Sequence, residues 1–312
     1  MRRVSRSTWS IGAPIVATVP APFAKDLCKY RKNGKPNTSD ASDDLSVEVG
    51  EALFDVLGVR HVPTAGEKDE PTGRVLADAV ATDLLSRFPV DAGGIEVRPE
   101  RKLFDFEQYR HVGAIRDVKP GRSKEFNVAW GRLTRFVRAR ATKPADMRRA
   151  DAMIAAVESS VDAADAVLHK LLDELGDESL LGLDLTVARQ GTPDRLPSLE
   201  VGLSLKWSLR TDRAQDCRSQ GAKMSALRRG RMPHFAVVTM EPRPYMLNLL
   251  GGGAGDVDCV YHLDVAALTQ AVDDVYGKTP QRRRGRDQFH RLVDQRRIRD
   301  YDDLVAEIQA LA

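Results

Sequence analysis

The chain has 312 residues, 42% of them hydrophobic and 30% charged, with a formal net charge of +3. That length suits one large domain or two small ones with a real core, and so small a charge does not announce a nucleic-acid binder. Three widely spaced cysteines (Cys28, Cys217 and Cys259) and six histidines without a ligand-spaced pair exclude a disulfide framework and a zinc site, and they fit a reducing, cytoplasmic setting.

The N-terminal stretch MRRVSRSTWSIGAPIVATVPAPFA is basic and then weakly apolar. Pro14, Pro20 and the shortness of its apolar run argue against an export signal, and no run approaches the roughly 18 apolar residues of a membrane span. Residues 31 to 44 read as a polar loop ending in a helix cap. Val47, Val49, Leu53 and Leu57 then recur at helical spacing over 46 to 59. A second loop leads into an amphipathic helix over 74 to 88, with Leu76, Val80, Leu84 and Leu85 on one side. GIEVRP is strand-like. From 103 to about 176 the pattern is helical and stops at a glycine.

The texture then changes. Residues 180 to 189 and 198 to 209 read as strands joined by the loop QGTPDRLPS. In the second of these, Leu199, Val201, Leu203 and Leu205 lie on one face, and Glu200, Ser204 and Lys206 on the other. HFAVVTM and DCVYHL read as buried strands, with helices beginning near Asp212 and near Asp264. GGGAGD lacks the Lys-Ser/Thr of a phosphate loop and reads as a connection. The expected fold is α/β (α+β), one domain over 1–312. It has a helical region at about 103–176 and an arginine-rich segment at about 280–312 that holds Arg282, Arg283, Arg284 and Arg286. A smaller cluster stands at Arg228, Arg229 and Arg231.

Two strand residues carry chemistry. Asp184 sits inside an apolar strand and Lys206 ends the next, so an antiparallel pair would bring them together. A carboxylate beside a lysine suits phosphodiester hydrolysis: the acid holds a divalent metal and the ammonium stabilises charge or positions water. An ion pair at a sheet edge is the plainer alternative. Arg210, Asp212 and Arg213 follow at once. Asp212 reads as an N-cap, yet Arg reads guanine bidentately and Asp accepts from cytosine, so the trio also suits adjacent G and C.

SLKWSLRTDRAQDCRSQG, RRGRMPHFAVVTMEPRP and GDVDCVYHL resemble the core of the CCGG-recognising type II restriction endonucleases of the PD-(D/E)xK superfamily, nearly unbroken from about Ser204 to His262. Similarity is weaker back through Asp184 and the Asp40 loop, and the stretch from about 117 to 170 is largely extra. The resemblance implies a central mixed sheet flanked by helices, Mg2+, and hydrolysis of double-stranded DNA at a palindrome with a CCGG core (GCCGGC as the full-site candidate). It also implies 5′-phosphate ends and a homodimer or homotetramer. A companion DNA methyltransferase would be needed to protect the genome, and no membrane partner is expected. Asp184 falls on the metal-binding aspartate, with Leu183 in place of the usual proline. Lys206 falls on the catalytic lysine and Ser204 on the family's serine. Arg210, Asp212 and Arg213 fall on the CCGG-reading residues, and Asp40 on a DNA-contacting aspartate.

The chain departs from that pattern at three places. Gln220 replaces a catalytic glutamate, and Asp216, one helical turn earlier, is the expected substitute metal ligand. Ala77 replaces a second glutamate, with Asp78 the expected substitute. Met246 stands where an arginine helps read the outer base pairs, leaving Arg243 as a candidate reader. The alternatives are a sequence-specific DNA-binding protein of the same fold with weakened catalysis, and a repair nuclease without sequence preference.

Overall fold

The computed structural model describes residues 19–60, 72–89, 94–116, 121–175, 181–253 and 255–312. Most of the signal-like N-terminal stretch lies outside the described residues, as do most of the second loop and the glycine at 176. The chain divides into two compact units, residues 1–101 with 183–312, and residues 102–182.

The first unit is built on a six-stranded sheet whose spatial order follows the chain. Its strands are β1 (Ile95–Lys102), β2 (Gly182–Arg189), β3 (Ser198–Lys206), β4 (His234–Thr239), β5 (Cys259–His262) and β6 (Ile298–Asp300). β2 and β3 are antiparallel, whereas β3, β4, β5 and β6 run parallel. Parallel neighbours need crossovers. These are supplied by α7 (Thr211–Leu227) before β4, α8 (Pro244–Gly251) before β5, and α9 (Val265–Tyr276) with α10 (Pro280–Asp294) before β6. The mixed sheet with flanking helices is the α/β architecture expected.

β3 differs from its expected alternation. Glu200 and Ser204, assigned to a polar face, are 9% and 1% exposed. A central strand in a sheet covered by crossovers is buried on both faces, and the second face here lies under α7, where Cys217 reaches Ser204.

Helix α1 (Ala24–Leu27) is short. α2 (Asp44–Leu57) starts at Asp43, whose carboxylate accepts from Leu45 N and Ser46 N, and ends at Gly58 with φ 65°. Its Val49 and Leu53, one turn apart, are fully buried, and the helix packs on α9. Gly50 allows the loop before α2 to lie against that helix, because a Cβ there would stand 2.0 Å from Ser39 Oγ. α3 (Thr72–Arg87) buries Leu76, Val80 and Leu84 at i, i+4 and i+8.

The arginine-rich C-terminal segment is helix α10. Phe289 and Leu292 are buried, while Arg282 pairs with Glu48 at 2.6 Å and Arg286 with Asp273 at 3.8 Å. β6 and the closing helix α11 (Tyr301–Gln309) were not expected, since a three-residue strand leaves no readable period.

The second unit is helical. Two 3₁₀ turns (Leu103–Asp105 and Glu107–Tyr109) lead to α4 (Arg110–Arg116), α5 (Lys124–Arg140) and α6 (Pro144–Leu175). Ser123 Oγ caps α5 by accepting from Phe126 N. α5 and α6 form a hairpin tied by Arg138 to Asp151 at 2.9 Å, by Trp130 Nε1 donating to Glu158 at 2.9 Å, and by an Arg122–Asp162 pair.

Candidate active site

The antiparallel register sets Leu185 opposite Leu203. One step further toward the open end, Asp184 meets the last three residues of β3. Its Oδ2 accepts from Leu205 N at 2.6 Å, from Lys206 Nζ at 3.1 Å and from Ser204 Oγ at 3.3 Å. A carboxylate thus replaces the backbone acceptor that Leu205 would otherwise need, which fixes the side chain's direction. All three contacts fall on Oδ2, and Oδ1 takes no hydrogen bond among the described residues. The Asp184 side chain is 39% exposed and that of Lys206 26%, so both reach solvent. Ser204 does not: it is buried and receives the Cys217 thiol at 3.6 Å. Burial pushes that thiol's pKa up and keeps it a proton donor.

Beyond Lys206 the chain turns into α7 under tight control. Trp207 Nε1 donates to Asn37 O at 3.2 Å, and Trp207 O accepts from Met240 N and Thr239 Oγ1. Glu241 accepts from Leu209 N at 2.6 Å, while Arg243 Nη2 donates to Leu209 O at 2.5 Å. Glu241 and Arg243 pair with each other at 2.6 Å, at 0% and 2% side-chain exposure. Burial raises the Glu241 carboxyl's pKa despite the arginine beside it. For Arg243, burial opposes the charge, but the carboxylate more than offsets it and the pKa rises.

Helix α7 begins at Thr211 with Arg210 as its N-cap residue, and the cap makes no side-chain hydrogen bond. Asp212, expected as the N-cap, is instead in the first turn, because the clamped Leu209 ends the turn two residues earlier than that reading assumed. Arg210, Asp212 and Arg213 are all exposed.

Arg210 and Arg213, but not Asp212, border a cleft of about 730 Å³. Asp184 and Lys206 line it at one side, Arg210 and Arg213 at another, and Asp40 and Asn37 come from the loop before α2. Asp40 Oδ1 accepts from Ser42 Oγ at 2.7 Å and from Ser42 N at 3.0 Å. Those bonds, together with the nearby Arg243 and Arg210, lower its pKa.

The structure therefore brings Asp184, Ser204 and Lys206 into contact and sets Arg210, Arg213 and Asp40 on the same cleft. Asp78 and Asp216 are not brought in. Asp78 is exposed, and it is its neighbour Ala77 that lines the cleft, one residue or about 100° of helix rotation away. Asp216 is exposed on α7, where Cys217 is the residue turned to Ser204. Gln220 is half-buried and does not line the cleft. No cluster of three His, Cys, Asp or Glu side chains suited to a metal exists among the described residues. Magnesium usually takes one or two carboxylates and fills its remaining positions with water and phosphate. A single part-exposed carboxylate with one oxygen uncommitted fits that mode, so Asp184 is the residue that could hold the ion.

Arg243, the candidate reader of the outer base pairs, also lines the cleft, but it is buried and bonded to Glu241, Leu209 O and Tyr245. Glu241 was missed by sequence reasoning. The available signal was EPRP directly after an apolar strand, an acid and an arginine between prolines where a loop would carry neither buried. All three cysteines are unpaired and buried, and no described helix is long and apolar enough to cross a membrane.

Residues 159–310 match the family model described as NgoMIV restriction enzyme. The type II restriction enzyme NgoMIV of Neisseria gonorrhoeae is 35% identical over 113 residues, which is 36% of this chain and 38% of that protein. The chain thus spans well under half the length of the curated relative it matches. The match includes Asp184, Lys206 and the whole 210–213 edge but neither Asp40 nor Asp78. The part of the chain that carries β2 through β6, residues 159–310, is thus similar to the NgoMIV restriction enzyme family.

Proposed function

We propose that this protein is a type II restriction endonuclease that hydrolyses double-stranded DNA, with Mg2+, at a palindrome containing CCGG, leaving 5′-phosphate ends. One observation carries the reading: Asp184 and Lys206 meet at 3.1 Å on the same cleft that Arg210 and Arg213 line. Asp184 would hold the ion. What the cation supplies when bound is positive charge at the phosphate and greater acidity in nearby water. Lys206 orients the attacking water and offsets the charge that develops on the phosphoryl oxygens. Water oxygen bonds to phosphorus, the bond to the 3′ oxygen breaks, and that oxygen leaves as a hydroxyl after protonation. Ser204 is a positioning residue, since it touches Asp184 and not the cleft. Asp78 and Asp216, outside the lining, act in this proposal only through water, and Gln220 acts from the buried side of α7.

Arg210, Asp212 and Arg213 at the head of α7 would enter the major groove and read G and C edges, and Asp40 would help set the loop that faces the duplex. A palindrome needs two copies of the edge, hence a homodimer or homotetramer. A cognate methyltransferase would protect host DNA. Three unpaired cysteines suit a cytoplasmic enzyme.

Ala77 and Gln220, in place of acids, favour a second reading, a sequence-specific binder with weakened cleavage. Digestion of one sequenced plasmid with and without magnesium separates the two. Fragments whose mapped ends share a CCGG core, formed only with the metal, support the nuclease. Tight CCGG-specific binding with no product supports the binder. Cutting without sequence preference rejects both.

A further inference from the structure

We propose that the head of α10 is a second DNA-contacting surface, one that holds backbone phosphates of the duplex outside the recognition site. Residues 278 to 286 read KTPQRRRGR and carry five cations, Lys278, Arg282, Arg283, Arg284 and Arg286, with no acid among them. The helix begins at Pro280, and its first turn holds no acid either. Cations are thus crowded onto the positive end of a helix dipole, where they oppose the dipole and one another. Proteins break a local rule of this kind at functional sites.

The fold uses part of this charge and leaves the rest. Lys278 and Arg282 both reach Glu48, at 2.7 and 2.6 Å, and Arg286 meets Asp287 and Asp273 at 3.5 and 3.8 Å. Arg283 and Arg284 are exposed and form no ion pair among the described residues. The buried side of the helix, with Phe289 and Leu292, is turned elsewhere.

The head of α10 stands at the cleft end of the sheet. Glu48 lies in the second turn of α2, five residues past the cap residue Asp43, or about 8 Å along the axis. Asp43 follows the cleft-lining Asp40, Ala41 and Ser42, and its carboxylate accepts from Tyr245 Oη at 3.4 Å. The tail of α10 is at the other end. Arg297, just past the helix, donates to Gly251 O at 2.7 Å, and α8 runs from the cleft-lining Arg243 to Gly251. A duplex in the cleft advances about 3.4 Å per base pair. The head of α10 therefore meets phosphates a few base pairs outside the bases that Arg210 and Arg213 would read. Guanidinium forks hold phosphate oxygens bidentately, whatever the base. The inference rests on the reading that duplex DNA occupies the cleft.

The other arginine cluster lies elsewhere. Arg229 is also exposed and without an ion pair among the described residues. It follows α7, whose 17 residues carry the chain about 25 Å from Arg210. It precedes β4, whose first residue, His234, pairs with Val201, whereas Lys206 pairs with Thr239 at the cleft end.

The test measures binding of two CCGG duplexes without magnesium, one with about two flanking base pairs on each side and one with about twelve, between about 50 and 200 mM salt. The parent should bind the long duplex more tightly and with a steeper salt dependence. Arg283→Ala with Arg284→Ala should weaken the long duplex about 10-fold or more and lower its salt slope by about 2 per chain, while binding of the short duplex stays within about twofold. Arg229→Ala should change neither. Alanine relieves the conflict with the helix dipole, so the double variant should melt at or above the parent's temperature; a lower one would make the two arginines structural. Equal affinity of the parent for both lengths, an unchanged long-duplex slope in the double variant, the same loss on both duplexes, or a like loss with Arg229→Ala would overturn the proposal. The reading of the cleft fails separately. If the parent ignores the CCGG sequence while the double variant still loses slope on any long duplex, α10 stands as a DNA surface and the base-reading assignment falls. A parent that binds no duplex overturns both.

Discussion

Glu241 and Arg243 stand two residues apart, both out of water, and the pair they form grips both polar groups of Leu209, the N–H through the carboxylate and the C=O through the guanidinium. The ion pair therefore sets where α7 begins and, with it, where Arg210 and Arg213 stand. Breaking a buried pair leaves one charge uncompensated and costs about 3–5 kcal/mol, whereas replacing both partners with apolar residues is often close to neutral. Glu241→Gln should therefore lose stability on that scale in urea titration. The double change Glu241→Met, Arg243→Met should recover much of it. DNA affinity should stay low in the double variant, because Leu209 has lost its partners. A Glu241→Gln protein as stable as its parent would refute the role of the pair.

Lys206 and Asp184 have separable parts in the proposed reaction. Lys206→Ala should lower single-turnover cleavage by about 10²–10³, the usual loss for one charge-stabilising group, while specific DNA binding persists. Asp184→Asn should abolish cleavage, and it should also remove the ability of added magnesium to tighten binding of the cognate duplex. Cleavage by Lys206→Ala at a rate near that of the parent rejects the assignment.

For the acids outside the cleft the expected losses are smaller. Groups that act on a metal through water typically contribute 10–100-fold, so Asp216→Ala and Asp78→Ala should each stay within about 100-fold of the parent. A variant that cuts as fast as the parent removes its residue from the mechanism. A complete loss would mean direct ligation, and bound DNA would then have to draw the helix toward Asp184.

Much of this was legible because it is local. Val49 and Leu53, or Leu76, Val80 and Leu84, announce their helices by spacing alone. Asp184 and Lys206 meet because two short strands with a tight connection can pair only one way round. What was not legible depends on distant residues. Ser204 and Glu200 alternate like a solvent face yet are buried, Ser204 under Cys217 of α7 and Glu200 between Arg189 and Arg231. Asp212 looks like a cap, but Glu241, 29 positions later, decides where the helix starts. Asp78 was an attractive substitute for Ala77, yet a single helix position is about 100°, and only packing fixes the rotation. Arg243 was weighed as a base reader, yet its guanidinium is buried and bonded to Glu241, Leu209 O and Tyr245.

Recognition is expected to divide between Arg213 and Arg210 on one side and overall charge on the other. A bidentate arginine on guanine is worth about 1–3 kcal/mol of discrimination. Arg213→Ala should therefore bind the CCGG duplex about 10–100-fold more weakly while leaving binding to an unrelated duplex nearly unchanged. Equal weakening on both duplexes would assign Arg213 to the phosphate backbone instead.

Two buried groups give stability an acid-side signature of opposite signs. His262 is fully buried and accepts from Asp264 N through Nδ1, and burial lowers its pKa from 6.5 to about 4. The unfolded chain therefore binds its proton first as pH falls. The neutral ring's contribution is complete above pH 6.5 and is lost on the way down to pH 4, by about 3 kcal/mol at most. Asp300 is the reverse: burial first, with Asp264 adding to it, raises its pKa from 3.8 to about 6. Its contribution is complete below pH 3.8 and is lost as pH rises through 6. The parent should therefore be flatter between pH 4 and 6.5 than either group alone would make it. Relative to the parent, His262→Gln should gain stability at pH 4.5 compared with pH 7.5, and Asp300→Asn should gain at pH 7.5 compared with pH 4.5. Urea titrations of the three proteins at both pH values check this, and stability differences that do not change with pH would show that neither group titrates out of step with the unfolded chain.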